Sequence, residues 1–396
     1  MPNRSVRFDF AEEQIPPLLD QPIDEQPGLP SDTQPLPTLP PELLAEIFIN
    51  FLPAYPNFPP YFGFLSPLML CRICRQWRAI ALSTPALWTA MRFAITSFDS
   101  RQSQKLELLK TWLGRSGDCP LRLSFKFWGG GNPGYLPQFL QTIVAHCARW
   151  EDITLLVPLH YMHHIQGEMP LLRHLKFGPH SPLTRRDHEK ASGLTLFDRV
   201  TQLRTLVLTD GFTKARVRHL PWAQLTHIES HIFDEFECVE LIRDATQLTH
   251  CKLGVCPPNR RDTHADALGA AAIVQRPRLR HLILLAEVSD DSDAEDFDDE
   301  STWAILDRLS LPALRALQVP VPHITLDSLK NLILRSQCTL QELDVLATTL
   351  PESVFREALP PFGAFTKGYG IMKFALDVDV QRGVSSGLVY GIKSID

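Results

Sequence analysis

No stretch of this 396-residue sequence approaches the roughly 18 continuous apolar residues of a membrane span, and its opening MPNRSVRFDF lacks the apolar core of a secretory leader. Both absences point to an intracellular chain, cytoplasmic or nuclear. Positive charge is not in excess either. With 39 Lys and Arg against 45 Asp and Glu, the formal net charge of −6 provides no global field to draw the chain onto nucleic acid or an anionic membrane. Catalytic signatures are equally scarce: there is no GxSxG, no HExxH and no papain-like cysteine context. The glycine-rich WGGGNPG at 128–134 lacks the Lys-Ser/Thr with which a phosphate loop holds nucleotide and magnesium, so it reads as a turn. Cys71 and Cys74 form a CxxC without a second pair at zinc-finger distance and without the βαβ context of a redox motif, in MLCRICRQWRAIAL, which reads as one amphipathic helix. The eight cysteines sit mostly beside apolar residues and read as reduced core thiols. LHYMHHI gathers His160, His163 and His164 but no further metal ligands. The expectation is a non-enzymatic protein without cofactor or metal, whose partners are other proteins; a hydrolase using a Cys and His pair is a third-ranked alternative.

Proline is abundant, with 33 residues in a chain that is 44% hydrophobic and 21% charged. Residues 1–35 carry six prolines from Pro16 to Pro35 among Asp, Glu and Gln, too little apolar surface to offset ordering, and are expected to be disordered. From Leu36 the texture changes. In LPTLPPELLAEIFINFL, Pro40 and Pro41 suit a helix start, and Leu43, Leu44, Ile47, Phe48 and Phe51 recur at helical spacing. A loop rich in proline and aromatics comes next. Ser66 and Pro67 then cap a second helix carrying Leu70, Ile73, Cys74, Trp77 and Ile80, and Thr84 and Pro85 open a last turn with Leu87 and Trp88. Three helices this small leave apolar faces that a partner or the adjoining domain must cover.

The succession LPPELLAEIF, CRICRQWRAIAL, STPALW resembles an F-box, in the F-box-like form common in fungal proteins, over about Leu36 to Ala94. The proline-rich insert after Phe51 is longer than in the compact form, and Ile73 stands where that family usually has Val. The resemblance implies docking on the Skp adaptor of a Skp, cullin and F-box (SCF) ubiquitin ligase. It implies that Leu39, Pro40, Leu43, Leu44, Ile47, Phe48, Cys74 and Trp77 form or support the docking surface. The packing alternative is that these residues face inward, expected above all for Trp77, Leu87 and Trp88. The junction WLGRSGDCPLRL is similar to the segment on the C-terminal side of the F-box in many basidiomycete-type proteins. There the spacing predicts a helix through Leu106, Leu109, Trp112 and Leu113 ending at Gly114. A strand succeeds it, with Leu121, Leu123, Phe125 and Phe127 on one face.

A six-residue frame, apolar at positions 0, +3 and +5, organises residues 145–350. It starts at Trp150, Leu172, Leu203, Leu225, Leu248, Leu279, Leu314 and Leu340, at intervals of 22, 31, 22, 23, 31, 35 and 26 residues. Helical stretches are expected between frames, around Phe236 to Ile242, Ala270 to Val274, Trp303 to Leu309 and Leu326 to Ile333. This is similar to leucine-rich repeats, loosely, since the Asn or Cys after the last Leu is met by Cys256 alone. The fold class expected is therefore α/β: a small three-helix F-box module over 36–98, then an irregular leucine-rich-repeat solenoid over 99–360. Its parallel strands would line the concave face and its helices the convex one. Residues 361–396, in which Met372 to Val380 alternate strictly, would add a capping hairpin.

Positions +2 and +4 should project from the concave face. They include His174, His227, His250, His281, Lys176 and Lys252, the candidate client-binding residues. The four imidazoles fit three readings: plain surface variation, a protein-binding surface whose charge shifts between pH 6 and 7, or a metal site. The acidic run EVSDDSDAEDFDDE, Glu287 to Glu300, reads as a solvated insert or an attractor for a basic client segment; Ser289 and Ser292 within it could accept phosphate. Together these features predict a substrate-recognition adaptor that binds Skp, and through it cullin, and presents a client protein. The alternative is an F-box scaffold acting outside a ubiquitin ligase.

Overall fold

The computed structural model describes residues 39–97, 100–128, 134–179, 197, 200–209, 219–255, 272–286, 302–321, 323–346, 348 and 350–368. The expected leader, the acidic run, most of the glycine-rich turn and the expected hairpin lie outside the described residues. The chain divides into two compact units, Met1–Met91 with Arg115–Gly117, and Arg92–Gly114 with Asp118–Asp396.

In the first unit, α1 (Pro41–Phe51) starts where Pro41 loses nothing by lacking a donor, and the Pro40 carbonyl accepts from the amides of Leu43 and Leu44 at 3.0 and 3.1 Å. It stops at Leu52, held extended before Pro53. The second helix, expected as one continuous element, is two. In α2 (Pro67–Leu70) the Ser66 hydroxyl accepts from the Leu68 amide at 3.1 Å. In α3 (Arg75–Leu82) the Cys74 thiol takes the capping role and accepts from the Trp77 amide at 3.4 Å. Cys74 has extended backbone angles, φ −157° and ψ 171°, so the helix must restart there rather than run through. Pro85–Trp88 forms a single 3-10 turn that buries Leu87 and Trp88 as expected. The Trp88 indole donates to the Ala81 carbonyl at 2.9 Å, and the Arg115 guanidinium lies 4.7 Å above its ring.

The second unit is α/β. Its strands are β1 (Ala90–Thr96), β2 (Leu121–Trp128), β3 (Trp150–Leu156), β4 (His174–Gly178), β5 (Thr205–Leu208), β6 (His227–Phe233), β7 (His250–Val255), β8 (Val274–Gln275), β9 (His281–Ala286), β10 (Leu309–Ser310), β11 (Ala316–Pro320), β12 (Glu342–Leu346) and β13 (Ala364–Gly368). Eleven of them make one open sheet, ordered β1-β2-β3-β4-β5-β6-β7-β9-β11-β12-β13, and the pairings from β2 onward are parallel. All eight sequence frames fall into one register. The +3 residues Ile153, Leu175, Leu206, Ile228, Cys251, Leu282, Leu317 and Leu343 pair strand to strand without a slip. With the +5 residues behind them they form a nearly water-free row, in which Ser230 is the single hydroxyl.

Among the described residues four helices fill intervals between strands, α4 (Gln102–Arg115), α5 (Leu136–Val144), α6 (Glu235–Asp244) and α7 (Leu326–Ser336), and a fifth, α8 (Glu352–Ala358), precedes β13. The helix expected to end at Gly114 continues to Arg115, and the left-handed residue is Gly117, φ +53°. Two helical expectations are not met over the described residues; of Ala270 to Val274, residues 270 and 271 lie outside them. Val274–Gln275 and Leu309–Ser310 pair as β8 and β10, a separate parallel ribbon, and Leu306–Arg308 makes only a 3-10 turn. Side chains tie this ribbon to its neighbours: Arg276 Nε donates to the Ile242 carbonyl at 2.5 Å, and Arg335 donates to the carbonyls of Leu309 and Leu306 at 2.8 and 2.6 Å. The sheet also outruns the expected end of the repeats at 360. β13 adds a parallel strand in which Phe365 pairs with Leu343, and Lys367 stands opposite Val345, where the frame asks for an apolar residue. Among the described residues no helix is long and apolar enough to cross a membrane.

Candidate functional site

The first unit's site grows from α1. At 100° per residue its apolar positions divide into two stripes. Leu44 and Phe48 turn inward, Phe48 to 1% exposure, and the Trp77 ring packs 4.7 Å from Phe48. Leu39, Leu43 and Ile47 turn outward and stay 45%, 52% and 49% exposed. With Glu46, Asn50 and Phe51 they line a shallow groove of about 510 Å³. Asn50 donates to the Glu46 carbonyl at 2.9 Å and to its carboxylate at 3.2 Å, fixing the groove's polar side. Met69, Ile73 and Phe64 are exposed as well. For a helical unit of this size these are many large apolar side chains left uncovered.

Of the eight residues assigned to docking, Leu39, Pro40, Leu43 and Ile47 reach the surface. Leu44 and Phe48 do not. They form the first unit's own core and can only support the outer stripe. Trp77 and Cys74 are half-buried, the former against Phe48 and the latter as a helix cap. Glu46 and Asn50 were not anticipated, although their i, i+4 spacing beside Leu43 and Ile47 carries the signal.

The second unit presents positions +2 and +4 on the sheet face opposite the buried row. His227, His250 and His281 stand on adjacent strands and stack, with ring centroids 4.3 Å apart in each pair and planes within 9° and 7° of parallel. His174 is separated from them by Thr205 on β5. The Thr226 hydroxyl donates to the Arg204 carbonyl at 3.1 Å and the Thr249 hydroxyl to the Thr226 carbonyl at 2.9 Å. Each hydroxyl has one proton, so its oxygen accepts from the Nδ1–H of His227 or His250, both at 2.9 Å. That assignment leaves Nε2 of both rings as an acceptor. Burial pushes the pKa of His227 down and that of His250 down to about 4, the neighbouring imidazoles adding to both shifts and Arg280 to that of His250. A charge change between pH 6 and 7 is therefore wrong for His250, because desolvation and stacking disfavour its cation. Lys252 is paired with Glu229 at 2.6 Å, while Lys176 stands in register with Thr154 and Val207.

Parallel rings aim their nitrogens in one direction, whereas a zinc ion needs ligands converging to about 2.0–2.1 Å. Among the described residues no group of three His, Cys, Asp or Glu is placed to hold a metal ion. His163 and His164 lie 4.0 Å apart with their rings tilted by 39° in the 3-10 turn Leu159–His164, again without converging partners among the described residues. Cys71 and Cys74 are free thiols. Burial raises the pKa values of Cys71, Cys147, Cys238 and Cys251, the reverse of what activates a thiol nucleophile. An exposed arginine row at position +1, comprising Arg173, Arg204, Arg280 and Arg315, was missed, though it lies one residue ahead of the histidine row in the same frame. No protein-family model matches the sequence, and no curated protein matches it.

Proposed function

We propose that the chain is a non-enzymatic substrate-recognition adaptor of an SCF-type ubiquitin ligase, in which the F-box-like helical unit docks on the Skp adaptor and an irregular leucine-rich-repeat sheet holds a client protein. The observation that carries the reading is that the helix bearing LPPELLAEIF spends Leu44 and Phe48 on its own core and leaves Leu39, Leu43 and Ile47 uncovered as an outer stripe. A groove presented by such a stripe is what a partner helix recognises. The unbroken register of eight frames supports the repeat part of the reading. The mechanism is proximity: tethering a client beside the ligase's charged thioester raises the effective concentration of its lysines without any bond made by this chain.

The test is affinity purification of the full chain beside its Ile47→Asp variant. Ile47 is half exposed, so the variant keeps the wild-type thermal unfolding profile within about 0.5 kcal/mol. It loses the Skp adaptor and the cullin together. Retention of the adaptor by Ile47→Asp would contradict the reading. An adaptor recovered without cullin would favour a scaffold outside a ligase.

A further inference from the structure

We propose that the exposed face of strands β4 to β11, with the N-terminal margin beside it, binds an extended, carboxylate-rich segment of a partner protein. The inference rests on the reading that this face holds the client and names the chemistry of what it holds. On β4 and β7 the exposed face carries Lys176 and Lys252 at position +4, and the residue just before β4, β5, β9 and β11 is an exposed arginine, Arg173, Arg204, Arg280 and Arg315, which makes six permanent cations on the face and its N-terminal margin. The same positions carry one carboxylate, Glu229, already engaged by Lys252. This is a local excess of positive charge on a chain whose net charge is −6.

Carboxylates on these rows gather at the two flanks, Glu151 and Asp152 at β3 and Glu342 and Asp344 at β12. Glu151 pairs with Arg122 at 3.0 Å and lies 4.0 Å from Arg173. Arg204 is tied to the Gln224 carbonyl at 3.0 Å, whereas no ion pair engages Lys176, Arg280 or Arg315 among the described residues. Between Arg173, Lys176 and Arg204 on one side and Arg280 and Arg315 on the other lie the stacked imidazoles of His227 and His250, whose Nε2 atoms act as acceptors.

The cations are distributed at strand intervals rather than converging on one point. Five strand steps of about 4.8 Å span about 24 Å, the reach of roughly seven residues of extended chain at ~3.3 Å each. Spaced carboxylates along an extended segment fit that spread better than one phosphate, which asks for arginines converging as a fork. Nucleic acid is the less suitable polyanion, since the acidic flanks would repel a long phosphate backbone and no Phe, Tyr or Trp stands at these positions to stack on bases.

Fluorescence anisotropy on the full chain tests this with a labelled ten-residue Glu/Asp peptide, the same peptide with Gln/Ser in place of its acids, and a labelled single-stranded oligonucleotide. The acidic peptide should bind, weaken as salt is raised, and lose at least ten-fold in affinity in Arg280→Glu/Arg315→Glu, whose exposed positions leave thermal unfolding unchanged. Equal binding of the neutral peptide, no effect of the double variant, or charge-dependent binding of the oligonucleotide alone would overturn the proposal. So would peptide binding that emerges only after the nine acids of Glu287–Glu300 are replaced by Ser, which would make this chain's own segment the occupant. The assay contains no Skp adaptor, and Ile47→Asp should bind the peptide normally, so failure here and failure of adaptor docking are separate results.

Discussion

Glu235, the first residue of α6, is buried, and its pKa is raised from 4.5 to about 7. Desolvation is the main cause. Backbone N–H groups of Ala304 and Ile305 pull the value back down, and the carboxylates of Asp234 and Asp307 push it further up. Its Oε1 has no hydrogen-bond partner. Because the native value exceeds the unfolded one, the folded state binds the extra proton. The stabilisation is fully present below about pH 4.5 and is lost as pH rises through about 7. A shift of about 2.5 pH units corresponds to about 3 kcal/mol across that window.

The stacked histidines work in the opposite direction. His250, lowered from 6.5 to about 4, contributes stability that is present above 6.5 and lost as pH falls toward 4, discounted because the ring is partly solvated. Net stability of the wild-type chain therefore conceals two opposed slopes, and a substitution is needed to separate them. Glu235→Gln keeps a carbonyl oxygen for the two backbone donors and removes the titration. Urea unfolding monitored by tryptophan fluorescence at about pH 5 and about pH 8 should show the variant gaining on the wild type by about 2.5 kcal/mol between the two. Parallel behaviour of both proteins over that range would mean that Glu235 stays ionised in the folded chain.

Two further substitutions probe how the sheet is joined to its surroundings. A Cβ added at Gly363 would stand 2.6 Å from the Gln341 carbonyl oxygen, so Gly363→Ala should displace β13 from β12 at a cost of about 1–3 kcal/mol, read as faster amide exchange over 364–368. Buried Gln102 donates to the Thr96 carbonyl at 2.6 Å and accepts from the Tyr135 amide at 2.8 Å. Gln102→Ala orphans both backbone groups and should cost about 2 kcal/mol in chemical unfolding, with Gln102→Glu recovering part of it through the Tyr135 amide.

The repeating strands were legible because their signal is local and redundant: each frame fixes its own buried face, and eight copies agree on one register. The connections between them were not, because short intervals hold too few residues for apolar spacing to distinguish a helix from a turn. Trp222–Gln224 is a single 3-10 turn, and Val274–Gln275 becomes a strand only because Leu309–Ser310, far along the chain, supplies its partner. In the first unit the two stripes of α1 were visible as one apolar pattern. Their division into core and surface depends on α3, whose Trp77 covers Phe48 and leaves Ile47 bare. The break before α3 escaped notice because a cysteine is not the residue one expects as a helix cap.

In a parallel sheet kept in register, any residue type chosen at one exposed position becomes a ladder at a spacing of about 4.8 Å, close enough for like charges to repel. Six cations on neighbouring strands would be self-defeating without something between them. Two groups, Arg173, Lys176 and Arg204 on one side and Arg280 and Arg315 on the other, are separated by β6 and β7, where position +1 is Thr226 or Thr249, position +2 is an imidazole and the sixth cation, Lys252, is paired with Glu229. From β5 to β9 is about 14 Å, more than the ~8 Å over which physiological salt screens exposed charges. The threonines hold His227 and His250 through Nδ1, and burial, reinforced by the neighbouring imidazoles, suppresses protonation of the central ring, so the imidazoles between the arginines add no charge there. Charging His250 would close the gap between the two cationic groups. The low pKa of that ring is thus the electrostatic counterpart of the arginines around it, and an anion lying across the stack would relieve both.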